Sequence, residues 1–363
     1  MARFSRQKGY ETVYSCGTDD HGTPIQISAE AEGKNPKEYV DYWRKRWVED
    51  LKGLGISFDV FTGTDTKENT ELATEFFVRL REKGFIYEQN VIQYYCEKDN
   101  RSLPDRYVKG TCPHCGAQEQ YADVCESCGR FLKPGDLKEA RCSVCGTQAV
   151  LKPSHHYVFA LSKLGKSLKE WLEGNQRLQS DVKNYVFDWL KEGLQDWDIT
   201  RDISWGIQIP GTGGAQTLYG WFENHLGYIS ITSSYLRTKG ISNPLDYWNQ
   251  SEIIHFIGKD IVYHHYLFLP AERIADGRYK LPDQIPTRGH LLLQAKKFSK
   301  SRGWYISLRD FLAAFPADYL RFYLSSITSY NQSDINFDWN QFADRINNCL
   351  LYTSDAADEE DSV

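Results

Sequence analysis

The stretch Tyr10-Glu-Thr-Val-Tyr-Ser-Cys16 runs directly into Gly17-Thr-Asp-Asp-His-Gly22. The first part is rich in β-branched and aromatic residues, which predicts a buried strand over residues 10–16. The second part is polar and begins and ends with glycine, which predicts a loop at the carboxyl end of that strand. The chain therefore begins with a strand that leads into a polar loop.

Two amphipathic helices are predicted after this loop. Asn35-Pro36 supplies a cap and a first-turn proline, and an apolar pattern at three- and four-residue spacing runs from there to Gly55. The second helix follows Asp65 and is predicted to end at Gly84. The apolar positions are Val40, Trp43, Trp47, Leu51 and Leu54 in the first helix, and Leu72, Phe76 and Leu80 in the second.

The rest of the chain has a cysteine-rich middle between two helix- and strand-forming parts. The predicted elements are a hairpin at 85–96, a cysteine-rich segment at 97–156, helices near 163–173 and 180–195, strands at 216–221 and 253–257, a helix over Asp260–Leu267, and a strand near 287–293. Strands that alternate with helices on both sides of a different middle predict an α/β fold, with a doubly wound parallel sheet and an inserted domain.

Composition narrows the class of protein. The 363 residues are 41% hydrophobic and 14% aromatic, as in a globular protein with a substantial core. No apolar run is long enough to span a bilayer, and the first residues do not resemble a signal peptide, so we expect a cytoplasmic protein that does not enter membranes. The net charge of −6 argues against indiscriminate nucleic-acid binding, but it leaves room for a local basic groove.

Six of the nine cysteines form three Cys-x-x-Cys pairs between Cys112 and Cys145. In a large chain in a reducing compartment, such pairs indicate metal binding rather than disulfides. The first two pairs have the spacing of a closed tetrahedral zinc site, and a glycine follows each pair. Its predicted ligands are Cys112, Cys115, Cys125 and Cys128. The alternative is a set of metal-free buried thiols.

A basic loop, Lys297-Phe-Ser-Lys-Ser301, precedes Arg302-Gly303. Two lysines three residues apart in such a loop can hold a polyphosphate and neutralise the charge that builds on a leaving pyrophosphate. Taken alone, the stretch fits a solvated surface turn equally well.

This loop resembles the KMSKS loop of class I aminoacyl-tRNA synthetases, with Phe298 in place of methionine. Three further segments, in the same order, resemble the methionyl-tRNA synthetase family. They are Cys16-Gly-Thr-Asp-Asp-His-Gly-Thr-Pro24, Trp197-Asp-Ile-Thr-Arg-Asp202 and His255-Phe-Ile-Gly-Lys-Asp-Ile-Val-Tyr-His-His265. The resemblance runs from about residue 2 to residue 347.

The resemblance implies a Rossmann-type fold in which ATP lies across the carboxyl ends of the strands. It also implies that methionine reacts with Mg-ATP to give methionyl-adenylate, which is then transferred to tRNA(Met) in translation. The residues it assigns are Lys297 and Lys300 to catalysis, Gly258, Asp260, Lys297, Ser299 and Lys300 to ATP, and Asp19, Trp221, Tyr228 and His265 to methionine. For Trp221 and His265, a place in the ordinary core is the alternative.

Two departures from the family pattern fall in the methionine pocket. The family usually reads Trp-x-Asp-Ala-Pro-Ile-Gly-Tyr where this chain reads Trp221-Phe-Glu-Asn-His-Leu-Gly-Tyr228. The position of His264 is commonly aromatic and apolar in the family. Both departures indicate an altered pocket rim.

The third cysteine pair has no obvious partner nearby in sequence. Some family members carry an additional cysteine pair ahead of a Leu-Pro-Asp-Arg stretch, and the second cysteine of that pair is Asp99 in this chain. Because aspartate can ligate zinc, the resemblance predicts a second site. Its ligands would be Cys96, Asp99, Cys142 and Cys145. The alternatives are His155 or His156 as a ligand, or no metal.

The resemblance also divides the chain. The predicted parts are a first catalytic part at 1–66, an inserted connective domain at 67–215 with zinc knuckles at 96–145, a second catalytic part at 216–292, a KFSKS-loop and stem-contact region at 293–337, the start of an anticodon-binding helical domain at 338–348, and a tail at 349–363 that resembles a translated transposase adapter. We expect that the family's His-x-Gly-His element and most of the anticodon-binding domain are missing, which would leave this chain feebly active at best.

Three other functions fit part of the sequence. A class I synthetase for isoleucine, valine or leucine would usually carry a large editing insert, for which the knuckles and two helices leave little room. A non-catalytic zinc-ribbon protein that binds nucleic acid would explain the cysteines but not the Lys-Phe-Ser-Lys-Ser loop. A degenerate synthetase core without activity is the third alternative. The sequence leaves the oligomeric state open.

Overall fold

The computed structural model describes residues 1–350 except 123, 124, 129, 131 and 300–302. Lys300 and most of the predicted adapter-like tail therefore lie outside the described residues. The described part is a mixed α/β structure, as the sequence predicts. None of its helices is long and apolar enough to cross a membrane.

The amino-terminal part places the polar loop at the end of a parallel strand pair. Its elements are α1 (Ala2–Gln7), β1 (Ser15–Thr18), α2 (Thr23–Ala31), α3 (Pro36–Gly53), β2 (Val60–Gly63) and α4 (Lys67–Glu82). Strand β1 runs parallel to β2. The strand predicted over 10–16 begins five residues later than expected, because the Tyr14 N–H donates to the Asp59 carboxylate, 2.6 Å away, rather than to a strand.

The two helices predicted in this part are confirmed. The Asn35 side chain caps α3 by accepting a hydrogen bond from the Lys37 N–H at 2.8 Å, and the Thr66 side chain caps α4. Phe76 and Leu80 of α4 are fully buried. The tryptophans of α3 lie mostly at the surface, where half of Trp47 is exposed.

The middle of the chain contains an antiparallel sheet and a cysteine-rich unit (residues 94–149) with its own core. The elements are β3 (Ile86–Cys96), β4 (Arg101–Ser102), β5 (Val108–Thr111), β6 (Gln120–Tyr121), β7 (Lys138–Cys142), β8 (Val150–Phe159), α5 (Gly165–Gly174), α6 (Ser180–Glu192) and β9 (Trp197–Asp198). The predicted hairpin at 85–96 is wrong: β3 is one long strand that pairs with β8. The helices predicted near 163–173 and 180–195 are confirmed.

The remaining elements lie between residue 200 and residue 345 and include the carboxyl-terminal part. They are β10 (Thr200–Arg201), β11 (Thr217–Leu218), α7 (Gly220–Thr238), α8 (Pro244–Gln250), β12 (Ile257–Gly258), α9 (Leu269–Asp276), β13 (Thr287–Arg288), β14 (Leu291–Leu293), β15 (Lys296–Lys297), α10 (Leu308–Ala314), α11 (Ala317–Ile327), β16 (Ile335–Phe337) and α12 (Trp339–Arg345). The helix predicted over Asp260–Leu267 is a 3₁₀ turn (Lys259–Ile261) and a π-helical turn (His264–Phe268) that lead into α9.

The parallel strand pairs lie in separate sheets. Strands β1 and β2 form one parallel pair, and β12 and β13 form another. Among the described strands these pairs do not join into a single sheet, so the doubly wound Rossmann sheet stays a prediction. The largest core unites residues 73–86 and 157–209 of the predicted insert with residues 218–285. The predicted domain boundaries and the assignment of α12 to an anticodon-binding domain likewise stay predictions.

Candidate functional site

Asp19 lies directly after β1, facing the start of helix α7. Its Oδ2 accepts a hydrogen bond from Asn224 Nδ2 at 3.1 Å. Asp19 is exposed to solvent, yet many protein atoms surround its carboxyl group. This crowding and the nearby Glu223 carboxylate raise the pKa of Asp19 to about 7, while the Asn224 amide and His21 act in the opposite direction.

A buried charged network supports this end of the pocket. The Glu223 side chain is fully buried, and its carboxylate accepts hydrogen bonds from His21 Nδ1 at 2.9 Å and from Asn69 Nδ2 at 2.6 Å. Burial alone would lower the pKa of His21, but the carboxylates of Glu223 and Asp65 raise it to about 10. His21 is therefore a fixed positive charge two residues from Asp19.

Tyr228 and His265 form a neutral pair in the interior. The Tyr228 hydroxyl donates to His265 Nε2 at 2.9 Å, and the His265 Nδ1–H donates to the Ile261 carbonyl at 3.1 Å. Burial lowers the pKa of His265 to about 4 and raises that of Tyr228 to about 12. At neutral pH the pair therefore presents hydrogen-bonding groups without charge.

Trp221 connects the two ends of the pocket. Its indole stacks on the His264 ring, with centroids 3.8 Å apart and planes 9° from parallel. Trp221 and Asp19 both line a cavity of about 380 Å³ between α7 and the cysteine-rich unit. Tyr228 and His265 do not line this cavity, but the His225 ring lies 6.0 Å from the Trp221 ring and 5.6 Å from the His265 ring. The four predicted methionine residues therefore lie in one region of the fold.

A second, larger cavity lies beside this one. Its volume is about 870 Å³, and Tyr95, Tyr107, His155 and Asp202 are among its lining residues. None of the residues predicted to bind methionine or ATP lines it. Because Asp19 and Trp221 line the smaller cavity, it is the better candidate for the amino-acid site.

The residues predicted to contact ATP fall in two places. Gly258 ends β12, and a side chain at that position would collide with the Asp260 carboxylate. Asp260 lies in the 3₁₀ turn that ends at Ile261, whose carbonyl accepts the hydrogen bond from His265 Nδ1–H. This group of residues therefore adjoins the candidate amino-acid pocket.

The Lys-Phe-Ser-Lys-Ser loop forms the second place. Lys297 lies exposed in β15, which pairs antiparallel with β14. Ser299 and Trp304 exchange two backbone hydrogen bonds of 2.8 and 2.9 Å, which close the base of the loop. The tip with Lys300 lies outside the described residues. Among the described residues, no hydrogen bond or ion pair joins this loop to Asp19 or His265.

The first cysteine cluster has the geometry of a zinc site. The four Sγ atoms of Cys112, Cys115, Cys125 and Cys128 lie within 4.8 Å of one another. The Cys112–Cys128 and Cys115–Cys125 Sγ distances are 4.0 and 3.6 Å. A tetrahedron with bonds of about 2.3 Å places its sulfur atoms roughly 3.8 Å apart, so the four thiols fit Zn²⁺.

Backbone N–H groups lower the pKa of the Cys112 thiol, which favours metal binding. Burial would raise the pKa of the Cys112 thiol, but N–H groups of Cys115 and His114 bring it down to about 7. Gly116, with φ of +73°, closes the turn and donates its N–H to the Cys112 carbonyl at 3.0 Å. A thiolate is thus accessible near neutral pH, as zinc ligation requires.

The second cluster assembles the four ligands that the sequence predicts. The ligand atoms of Cys96, Asp99, Cys142 and Cys145 also lie within 4.8 Å of one another. Cys96 Sγ is 3.5 Å from Cys145 Sγ, and Cys142 Sγ is 3.3 Å from Asp99 Oδ2. Three thiols and one carboxylate suit Zn²⁺.

The alternative histidine ligands are engaged elsewhere. His156 is buried and bonds to Asp198 at 2.6 Å and to Asp202 at 3.3 Å. His155 lies 3.4 Å from Glu88. Neither histidine belongs to a metal-binding group among the described residues, so Asp99 is the better fourth ligand.

Residues 1–354 match the family model described as tRNA synthetases class I (M). The chain belongs to this family. The match confirms the synthetase family that the sequence segments predicted, and it does not favour the zinc-ribbon alternative.

Similar curated proteins are named methionine–tRNA ligase. Those of Methanobrevibacter smithii and Methanopyrus kandleri are 43% and 42% identical to this chain. Both matches cover 96% of this chain, and they cover 52% and 53% of the relatives' own lengths, respectively. The protein of Pyrococcus furiosus is 41% identical over 97% of this chain and 51% of its own length. This chain spans about half the length of the curated relatives it matches.

A solved structure shares the fold. Mycobacterium tuberculosis methionyl-tRNA synthetase in complex with methionyl-adenylate superposes with a TM-score of 0.75 and 23% identity, over 96% of this chain and 63% of that one. At this identity, the likeness supports the synthetase fold and says nothing about individual site residues.

Some functional contacts of this synthetase core were missed by the sequence analysis. The Glu223–His21 pair and the Asn224–Asp19 hydrogen bond join residues about 200 positions apart. A signal was present, since Glu223-Asn224-His225 is a polar run inside the apolar helix α7. From the sequence, these three residues indicate only an altered pocket rim and do not reveal their distant partners.

Proposed function

We propose that this chain is the catalytic core of a methionine–tRNA ligase. In this proposal the core holds the methionine and ATP sites, and the complete protein forms methionyl-adenylate and transfers the methionyl group to tRNA(Met). The observation that carries the proposal is the meeting of Asp19, Trp221 and the Tyr228–His265 pair in one region of a class I synthetase chain.

The amino-acid roles follow from charge and polarity. Asp19, once ionised, pairs with the methionine ammonium group, a charge-assisted hydrogen bond in a crowded cleft. Trp221 and the neutral Tyr228–His265 pair line the side-chain end, where a polarizable thioether favours aromatic contacts. Trp221 and His265 thus serve as pocket walls rather than only as core.

The nucleotide roles follow from position and charge. Gly258 lets the nucleotide approach the backbone, and Asp260 lies at the junction of the two substrates. Lys297, Ser299 and Lys300 bind the triphosphate, and the two lysines stabilise the pyrophosphate as it leaves. Mg²⁺ bound with ATP would add to this charge neutralisation. Little covalent chemistry falls to the protein, because positioning of the carboxylate and the α-phosphate dominates.

The cysteine clusters are proposed as two structural zinc sites. With four protein ligands each, neither leaves an open position for a reacting water. They would hold the cysteine-rich unit against the cavity that Asp19 lines. Because free thiolates persist in a reducing compartment, we also place the protein in the cytoplasm.

Calorimetric titration with non-hydrolysable aminoacyl-adenylate analogues tests the proposed function. We expect the methionyl analogue to bind this chain at least about a hundred-fold more tightly than the leucyl or isoleucyl analogue, since each misfit side chain loses a few kcal/mol. Equal affinity for the leucyl analogue would favour a synthetase for another amino acid. No binding of any analogue would remove the proposed activity altogether.

Methionine binding should depend on pH through Asp19. The raised pKa of about 7 means that the carboxyl is protonated below that pH in the free protein and cannot pair with the ammonium. Affinity should be constant above pH 7 and fall by up to about ten-fold per unit below it. His21 and His265 do not titrate in this range, because their pKa values lie near 10 and 4. Affinity that stays flat down to about pH 5 would contradict the role of Asp19.

Lys297→Ala should weaken ATP binding without affecting the adenylate analogue. The lysine is assigned to the phosphates that the analogue lacks, so the ATP dissociation constant should rise about ten-fold. Lys296→Ala is the matched control, because the Lys296 ammonium lies 5.0 Å over the Trp304 ring. Equal effects of the two substitutions on ATP would show that only net charge matters.

Asp99→Ala should lower the zinc content from two ions per chain to one. Its carboxylate completes the second cluster, and three thiols alone hold zinc less tightly. Asp99→Cys should keep both ions, and Glu97→Ala, at the exposed neighbouring position, should leave the count unchanged. Elemental analysis of the purified proteins gives the result. One ion in the unaltered chain, with no change in Asp99→Ala, would rule out the second site.

A further inference from the structure

The side-chain end of the amino-acid pocket is more polar than a thioether requires. Asn224 and His225 of α7 and His264 of the π-helical turn surround Trp221. The His225 and His264 rings lie 5.9 Å apart, and the His225 ring lies 6.0 Å from the Trp221 ring. A wall for methionine needs apolar, polarizable surface, which these three side chains do not provide.

Each of these side chains carries a buried polar atom with no partner among the described residues. These atoms are Asn224 Oδ1, His225 Nε2 and His264 Nδ1. The Asn224 orientation is fixed, because only its NH₂ group can donate to the Asp19 carboxylate. Its carbonyl oxygen therefore faces away from Asp19 and remains available as an acceptor.

The three residues do not line the cavity themselves, but each contacts a residue that does. Asn224 bonds to Asp19, and both histidine rings contact Trp221, which lines the same cavity as Asp19. A buried polar atom without a partner costs about 1–3 kcal/mol, and native proteins rarely leave several together. A bound ligand that supplies hydrogen bonds here would recover that cost.

The charge state of the pocket indicates the kind of ligand group. Burial lowers the pKa of His264 to about 3, and burial with neighbouring histidines lowers that of His225 well below its usual value. Both rings are therefore neutral. His225 Nδ1 is engaged by Glu272 Oε1 at 3.4 Å, so His225 offers only its Nε2, whereas His264 offers one N–H donor and one nitrogen acceptor. Neutral donors and acceptors match an uncharged polar group better than a carboxylate or an ammonium.

We propose that this pocket hydrogen-bonds the distal end of its substrate and accepts uncharged, oxygen-bearing side chains of methionine length alongside methionine. Sulfoxides and primary amides are the chemical classes that fit. The proposal rests on the proposed function, since it assumes that Asp19 holds the amino-acid ammonium. It assigns Asn224, His225 and His264 as residues that set specificity.

Titration with four amino acids of similar length tests this proposal. L-methionine, L-methionine sulfoxide, L-glutamine and L-norleucine are titrated into the unaltered chain, His264→Phe and the control His155→Phe. His264→Phe keeps an aromatic ring on Trp221 but removes the polar atoms. In the unaltered chain and in His155→Phe, the dissociation constant of the sulfoxide or of glutamine should lie within about ten-fold of that of methionine. In His264→Phe, the ratio of the polar amino acid's dissociation constant to that of methionine should rise at least about ten-fold. Asn224→Ala should shift the same ratio if His264→Phe does not fold.

The outcomes separate the two proposals. If methionine and norleucine bind while both polar amino acids are rejected more than about a hundred-fold in the unaltered chain, the polar pocket is wrong and the proposed function stands. The same holds if neither substitution changes the ratio. If no amino acid and no methionyl-adenylate analogue binds, the proposed function fails and the polar pocket fails with it.

Discussion

Replacing Cys125 with serine should unfold the cysteine-rich unit and release both zinc ions, because both clusters lie within that unit. Cys125 is buried at the centre of that unit's small core, where its Sγ lies 3.6 Å from Cys115 Sγ. Binding of a structural zinc ion contributes on the order of 10–16 kcal/mol, more than a core of this size supplies. Elemental analysis and limited proteolysis measure both effects, and we expect rapid cleavage between residues 94 and 149.

Cys16→Ser is the control for this experiment. Cys16 lies in β1, outside both cysteine clusters. It should leave the zinc content at two ions per chain and the proteolysis pattern unchanged. A Cys125→Ser chain that keeps both ions, or that resists proteolysis as well as the unaltered chain, would show that the first cluster is not a structural metal site.

Replacing Asp19 with asparagine should abolish measurable methionine binding. The substitution keeps the size of the side chain but removes the negative charge that faces the ammonium. A charge left without its partner in a crowded cleft costs about 3–5 kcal/mol, which corresponds to a rise of roughly 150-fold to 5,000-fold in the dissociation constant. Calorimetric titration with methionine measures the loss directly.

Asp188→Asn is the matched control for Asp19→Asn. Asp188 lies at the surface of α6, pairs with Lys191 at 2.7 Å and does not line the candidate cavity. It should bind methionine as the unaltered chain does. If Asp19→Asn binds methionine within about three-fold of the control, the ammonium lies elsewhere and the assignment of Asp19 is wrong.

Local sequence signals predicted the helices well and the strands poorly. Helices α3 and α4 carry their caps and stop signals within their own sequence, at Asn35 and Gly84. The predicted hairpin at 85–96 failed because β3 pairs with β8, whose residues begin more than 50 positions later. Nothing in the local sequence reveals whether a long β-prone run folds on itself or finds a distant partner.

At the candidate site, the sequence likewise predicts the metal ligands but not the contacts between residues far apart in the chain. Spacing and family resemblance predicted both cysteine clusters, including Asp99 as a ligand, and the structure assembles all eight residues. The partners of Glu223 and Asn224 could not be predicted, because burial turns two polar side chains of α7 toward a loop about 200 residues earlier. Those contacts shift the pKa values of Asp19 and His21, which burial also changes, so the electrostatics of the pocket follow only from the three-dimensional structure.

A crystal structure of this chain with a non-hydrolysable methionyl-adenylate analogue tests the central claim most directly. The account predicts that the ammonium nitrogen lies within hydrogen-bonding distance of the Asp19 carboxylate, with the side chain between Trp221 and the Tyr228–His265 pair. An analogue bound instead in the larger cavity beside Tyr95 and His155, with Asp19 left without contact to it, would contradict the account.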